Sequence, residues 1–204
     1  MTKTDQLRAI LAEPGAEVMP GVFDAMSARL VERAGFRASF MSGFAVAAAR
    51  LAMPDTGLIS YTEMANQGQN MCDAVSMPII GDGDTGYGNA INVRRTVEGF
   101  ARAGFACVMI EDQVSPKRCG HTRGKKTVDR AEAFARIKAA IDVKNDGTDI
   151  LIMARTDANA TEGFNEALYR AKKFAELGAD ITFLEAPKDV EQMRTYCEQV
   201  PGPK

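Results

Sequence analysis

Pro78-Ile79-Ile80-Gly81-Asp82-Gly83-Asp84-Thr85-Gly86-Tyr87-Gly88 runs from a short apolar strand into two carboxylates spaced i, i+2 and a glycine-rich turn. Glycine permits backbone angles and close approaches closed to other residues, so two negative charges can be held at a strand's mouth beside an open concavity. That is a seat for a hard cation. Mg²⁺ takes oxygen ligands in near-octahedral array and dehydrates reluctantly, so one or two carboxylates plus a chelating substrate suffice. On its own, Asp-Gly signifies only a turn. An EF-hand is excluded, because counting from Asp82 the required Gly falls on Tyr87 and the required Glu on Val93. No G-x-G-x-x-G opens a helix with an acidic partner downstream, which gives a dinucleotide fold little support.

Working outward, the same helix, glycine cap and strand recur. Ala34-Gly35-Phe36 leads into a strand at Ala38 to Met41, Ala103-Gly104-Phe105 into Cys107 to Ile110, and Leu177-Gly178-Ala179 into Ile181 to Leu184. Further helix-to-strand junctions fall at Ser76-Met77-Pro78 and Asn145-Asp146-Gly147. Helices are expected at 5–13, from Asp24 to about 34, and at 62–75, 89–103, 128–144 and 162–177. The strands are short continuous apolar runs, the mark of strands covered on both faces. Alternation of this kind specifies a parallel sheet wrapped by helices.

Six strands are expected, the first over Glu17 to Val22 and the others near 40, 79, 108, 151 and 182. A (β/α)8 TIM-type barrel needs two more strands and typically about 250 residues. The expectation is one domain over 1–204, a barrel lacking its last two strands and C-terminally incomplete, since a seventh strand should begin where the chain stops. An open doubly wound sheet tolerates six strands, and periodicity does not separate the two.

Hydrophobic residues at 46% and charged residues at 25% describe a globular protein, and 25 basic against 27 acidic residues leave no excess to attract nucleic acid or a membrane surface. No apolar run approaches a membrane span and Met1 to Gly15 lacks an apolar h-region, so a cytoplasmic protein is expected. Cys72, Cys107, Cys119 and Cys197 form neither a C-x-x-C pair nor a zinc spacing. Three read as packing thiols, and Cys119 stands apart.

Parallel α/β sheets carry their chemistry at the carboxyl ends of the strands. Those ends here are Asp24, Ser42-Gly43, Asp82 and Asp84, Glu111-Asp112, Arg155-Thr156-Asp157, and Glu185. Any one of them is more often a cap or turn residue than a catalyst. Asp82, Asp84, Glu111 and Glu185 together would repel one another without a cation, and Arg155 offers a planar fork to a carboxylate or phosphate. A structural ion pair of Arg155 with Asp157 or Glu185 is the plain alternative. After the fourth strand, Gln113 to Lys126 is a polar loop bearing the sole histidine, His121, two residues from Cys119. Flanking cations lower a thiol's pKa, so Cys119 is a candidate proton donor or acceptor near neutrality. Otherwise this is a solvated basic loop. No aromatic residues interleave with its charges as a nucleic-acid site would require.

Asp82-Gly-Asp84-Thr-Gly-Tyr-Gly, Glu111-Asp-Gln with Lys117-Arg-Cys119-Gly-His121, and Ala154-Arg155-Thr-Asp157 resemble the isocitrate lyase/phosphoenolpyruvate mutase superfamily. Within it the likeness is greatest to the 2-methylisocitrate lyase and 2-alkylmalate (2,3-dimethylmalate) lyase branch. The resemblance implies a Mg²⁺-dependent (Mn²⁺ also possible) C–C lyase on a (β/α)8 barrel, homotetrameric when its C-terminal part is present. It also implies roles. Asp82 and Asp84 would bind the metal, with Asp55 and Glu111 in its outer shell. Ser42, Gly43, Phe44 and Arg155 would hold a 2-hydroxy or 2-keto carboxylate, and Glu185 would orient ligand or metal water. Gly120 and His121 would contact the second product, and Cys119 would protonate it.

Such a site would cleave a small 2-hydroxy di- or tricarboxylate into a 2-keto acid such as pyruvate and a carboxylate such as succinate. Two departures stand out. Phe44 replaces a usual Gly, which should reshape the pocket toward alkylmalates, and Phe40 replaces a Tyr proposed as base in relatives, leaving the base open. The alternatives are an oxaloacetate hydrolase or decarboxylase, a phosphonopyruvate-processing enzyme on the same site, or a non-catalytic ligand-binding fragment.

Overall fold

A computed structural model of the chain describes residues 1–120 and 122–204. Six parallel strands, β1 (Gly21–Val22), β2 (Ser39–Met41), β3 (Ile79–Asp82), β4 (Cys107–Glu111), β5 (Leu151–Thr156) and β6 (Ile181–Leu184), lie side by side in chain order. A doubly wound sheet reverses its strand order part-way across. Uninterrupted sequential order is that of a (β/α) barrel wall, which decides between the two architectures.

The helices are α1 (Lys3–Ala12), α2 (Ala25–Arg33), α3 (Gly43–Leu51), α4 (Tyr61–Ala74), α5 (Ala90–Arg102), α6 (Arg130–Asn145), α7 (Ala158–Thr161), α8 (Phe164–Leu177) and α9 (Val190–Gln199). Side-chain caps set several starts. Asp24, Ser42, Ser60, Asn89, Asp129 and Asp189 each accept a backbone N–H from the first turn, a contact worth about 1 kcal/mol. Asp24 at the end of β1 is therefore a helix cap, its carboxylate 2.6 Å from the Ser27 N–H, and not part of the acidic rim. β1 is also shorter than Glu17 to Val22, since pairing with β2 covers only Gly21 and Val22.

Side chains alternate across a strand, and here that period sorts every residue. Val108 and Ile110 of β4, with Ile152 and Ala154 of β5, face outward into the layer under the helices, together with Phe100 and Phe174. Ile80, Cys107, Met109, Leu151, Met153 and Ile181 face inward and pack with Leu7 of α1, which closes the interior from below. A third cluster joins Leu184 to Ala167 and Tyr196 under α8 and α9. Beyond β6, the Thr182 N–H donates to the Pro203 carbonyl at 3.1 Å, so the chain after α9 returns to the sheet's edge. Among the described residues no helix is long and apolar enough to cross a membrane.

Candidate active site

Continuing the inward column upward places the chemistry. In β4 the inward series Cys107, Met109 ends at Glu111, and in β5 Leu151, Met153 ends at Arg155. Glu111 and Arg155 are register partners. Asp82 follows Ile80 on β3 by the same rule, and Glu185 follows β6. Four polar side chains thus share the inner rim because each lies an even number of residues beyond an inward apolar one.

Asp82 is held rigidly. One carboxylate oxygen accepts the Gly43 N–H at 3.0 Å and the other accepts the Asp84 N–H at 3.1 Å. Gly43 opens α3, so the positive end of that helix also faces the charge. A Cβ at Gly43 would sit 2.5 Å from Asp82 Oδ2, and glycine is required for this close approach. Ser42 uses its hydroxyl to cap α3, accepting from the Ala45 N–H at 3.2 Å. Phe44, on the first turn, is 55% exposed, so its ring does not form a buried pocket wall in the described structure.

Asp84 and Glu111 are buried, and that alone opposes their ionisation. Burial, with the neighbouring Asp82 carboxylate, pushes Asp84 up to about 6 even though Lys117 pulls the other way. Glu111 is driven well above the ordinary glutamate range by burial, which the Arg155 charge only partly offsets. Glu111 Oε1 is buried without a hydrogen-bond partner.

Lys117, which heads the loop motif but had no role read from the sequence, brings a cation among these carboxylates. Its Nζ stands 2.8 Å from Asp55 Oδ1 and 2.8 Å from Asp84 Oδ1. Burial by itself would weaken the ammonium, but Asp82, Asp84, Glu111 and Asp55 outweigh it and keep the proton on. Asp55, expected in an outer shell, is thus gathered into the cluster through Lys117. Among the described residues no three acidic, histidine or cysteine side chains already converge at metal-ligand geometry.

Arg155 answers both readings at once. Its fork is bound to Asp157 at 2.9 and 3.0 Å, while Glu111 and Glu185 each stand 3.4 Å away. These carboxylates raise the guanidinium further above its usual value despite burial, and Arg155 with Lys125 lowers Asp157. Asp112 points outward and serves the scaffold. It accepts from Thr156 Oγ1 at 2.7 Å, the Asp157 N–H at 2.9 Å and buried Arg170 at 3.0 Å.

The loop after β4 folds over the rim. Its base is pinned by the Val114 N–H on the Lys126 carbonyl at 2.8 Å, and its crown by the Cys119 N–H on the Asp55 carbonyl at 3.0 Å. Lys125 ties the Gly120 carbonyl, at 2.6 Å, to Asp157, at 2.8 Å. A Cβ on Gly120 would come within 2.6 Å of Arg155 Nη2 and 2.7 Å of Glu185 Oε1, so the loop lies directly on this pair. Cys119 is partly buried, Cys72 and Cys107 are buried, and Cys197 on α9 is exposed, contrary to its reading as a packing thiol. His121 lies outside the described residues. Below the rim, a cavity of about 1050 Å³ lined by Phe40, Ile80, Met109 and Met153 reaches Arg155 and Glu185.

A family profile described as phosphoenolpyruvate phosphomutase matches residues 7–204. The chain is a member of the phosphoenolpyruvate mutase/isocitrate lyase superfamily. It is 43% identical to 2,3-dimethylmalate lyase of Eubacterium barkeri, over 99% of this chain and 70% of that protein. With 2-methylisocitrate lyase of Aeropyrum pernix it shares 44% identity, over 97% of this chain and 63% of the relative. Among solved structures, superfamily enzymes superpose closely. Oxaloacetate acetylhydrolase in complex with 3,3-difluorooxalacetate gives a TM-score of 0.94 at 36% identity, covering 98% of this chain and 68% of that one. The crystal structure of 2,3-dimethylmalate lyase gives 0.93 at 38% identity, covering 99% and 68%. This superfamily member therefore spans only part of the length of the relatives it matches.

Proposed function

We propose that the protein is a divalent-cation-dependent carbon–carbon lyase. Its substrate would be a small 2-hydroxy di- or tricarboxylate of the 2-alkylmalate or 2-methylisocitrate type. The products are a 2-keto acid such as pyruvate and a carboxylate such as succinate. The observation that carries the reading is the convergence of Asp82, Asp84, Glu111 and Arg155 from three adjacent strands beneath a loop that bears Cys119. The relatives named lyases support it, and a phosphonopyruvate hydrolase of the same fold has been solved with oxalate and Mg²⁺.

The donor set suits a hard cation, being all carboxylate oxygen, with Glu111 Oε1 buried and lacking a hydrogen-bond partner. Asp82, Asp84 and Glu111 would hold Mg²⁺ or Mn²⁺, with Asp55 outside them. When bound, the cation supplies positive charge that offsets the charge developing on the hydroxyl and carboxylate oxygens of a 2-hydroxy acid. Arg155, its fork fixed by Asp157, orients the carboxylate. Ser42, Gly43, Phe44, Glu185 and Gly120 are assigned to the remaining substrate contacts. The thiol of Cys119 gives its proton to the carbon left electron-rich when the C–C bond breaks, and the closed loop keeps water from doing so.

Incubation with Mg²⁺ and a panel of 2,3-dimethylmalate, 2-methylisocitrate and oxaloacetate tests this. Release of 2-keto acid from either hydroxy acid supports the lyase, and no turnover of any panel member by folded protein overturns it. The oxaloacetate acetylhydrolase superposition favours one second reading. Consumption of oxaloacetate with oxalate as product, and of neither hydroxy acid, would select it.

A further inference from the structure

Loop lysines usually reach for solvent, because stripping an ammonium of water is costly. Lys117 does the opposite, with a side chain 6% exposed between Asp55 and Asp84. Its contact with Asp55 Oδ2, 2.9 Å long, is aligned as a hydrogen bond. Asp55 Oδ1 and Asp84 Oδ1 each lie 2.8 Å from the same ammonium, so one cation is shared between two buried carboxylates. Carboxylate oxygens from two segments gathered around one positive charge are also the donor set a hard divalent cation takes. Asp55 also accepts the Cys119 N–H, so it grips the loop through its side chain and its main chain.

We propose that Lys117 is a built-in competitor for the divalent cation. Its ammonium and the cation contend for the Asp84 carboxylate, and because Lys117 and Cys119 are both fastened to Asp55, cation affinity is coupled to the position of the thiol's loop. This rests on the cation-dependent reading above. Lys117 acts here as a positioning residue, fastening the Cys119 segment to Asp55 until the cation takes its place on Asp84, while Lys125 keeps the loop over the rim through Gly120 and Asp157.

Calorimetric titration of Mg²⁺ into wild type, Lys117→Gln and Lys117→Met, with hydrogen exchange of the Cys119 amide, decides the matter. Both variants are expected to bind Mg²⁺ at least tenfold more tightly than wild type. Without Mg²⁺ their Cys119 amide exchanges faster than the wild-type one, and adding Mg²⁺ speeds that amide in wild type but not in the variants. Folded variants that bind Mg²⁺ no better than wild type overturn the competition, while the lyase reading stands if wild type still binds. If neither wild type nor variants bind, both fall. Should the variants not fold, the wild-type amide decides, and an exchange rate unmoved or slowed by Mg²⁺ refutes the coupling. Lys126→Gln, an exposed lysine of the same loop, should change nothing; a matching effect there would reduce the result to general loop charge and end the proposal.

Discussion

Cys119→Ser replaces the thiol by a group of the same shape whose proton is far harder to give up. Turnover should fall by about 10²- to 10⁴-fold, the usual worth of a positioned acid, while pyruvate affinity by calorimetry stays unchanged. A variant with wild-type turnover would remove the thiol from the chemistry. Gly43→Ala tests the cation seat without touching a carboxylate, because the added Cβ meets Asp82 Oδ2 at 2.5 Å and its Cγ at 3.1 Å. Disturbing a group that holds a ligand in place typically costs about 10- to 100-fold in metal affinity, and a Mg²⁺ isotherm identical to wild type would show that Asp82 is not in the seat. The two residues differ in how they can be seen from sequence. Cys119 announces itself by its neighbours, whereas Lys117, though it heads the same motif, carries nothing local that marks its role. That it turns back to Asp55, 62 positions away, is a property of the folded loop that no local pattern carries.

Strand ends were legible in the sequence because each strand ends on a polar residue or is followed by one within two positions. Which of those residues face the site follows from parity within the strand. Glu111 continues the inward series of Cys107 and Met109, while Asp112 continues the outward series of Val108 and Ile110. Reading Glu111-Asp112 as a unit missed that division. Two helices escaped notice for different reasons. Ser42-Gly43 resembled a strand-end turn, yet Ser42 caps the alanine-rich run of α3, and α7 at four residues is too short to show a period. Asp112 reaches Arg170 on α8, and Arg170 in turn holds Glu166 at 2.8 Å, so this outward network is open to a pH test. Hydrogen bonding from Arg130, with Arg170 adding to it, lowers Glu166 to about 2. A carboxylate depressed on folding stabilises fully above its unfolded value and loses that contribution as pH falls through its folded one. Wild type should therefore exceed Glu166→Gln in urea stability by on the order of 2 kcal/mol at pH 7, allowing for solvent screening at exposed Arg130. The gap should narrow between pH 4.5 and pH 2, and a gap independent of pH would assign the effect to packing.

At the scale of the molecule, the acidic cluster exists only because the sheet does. Asp82 ends β3 and Asp84 follows it, Glu111 ends β4 and Asp55 lies before α4, so the unfolded chain has no comparable gathering of charge. A divalent cation must then bind the folded protein in preference to the unfolded one, and its affinity must appear as thermal stability. At about 100 times the dissociation constant the gain is about 2.7 kcal/mol, which for a chain of this size corresponds to a rise in Tm of roughly 5 to 11 °C. The rise should grow with the logarithm of Mg²⁺ concentration and vanish in Asp84→Asn, whose amide offers the cation no charge. Burial opposes the ionisation of both Asp84 and Glu111, and a bound cation relieves that opposition by giving the buried charge a partner. Calorimetric scans across a Mg²⁺ series check the prediction without any substrate. A Tm that ignores Mg²⁺, or that moves as far in Asp84→Asn as in wild type, would mean that the carboxylates at the mouths of β3 and β4 are served by Lys117 and Arg155 alone.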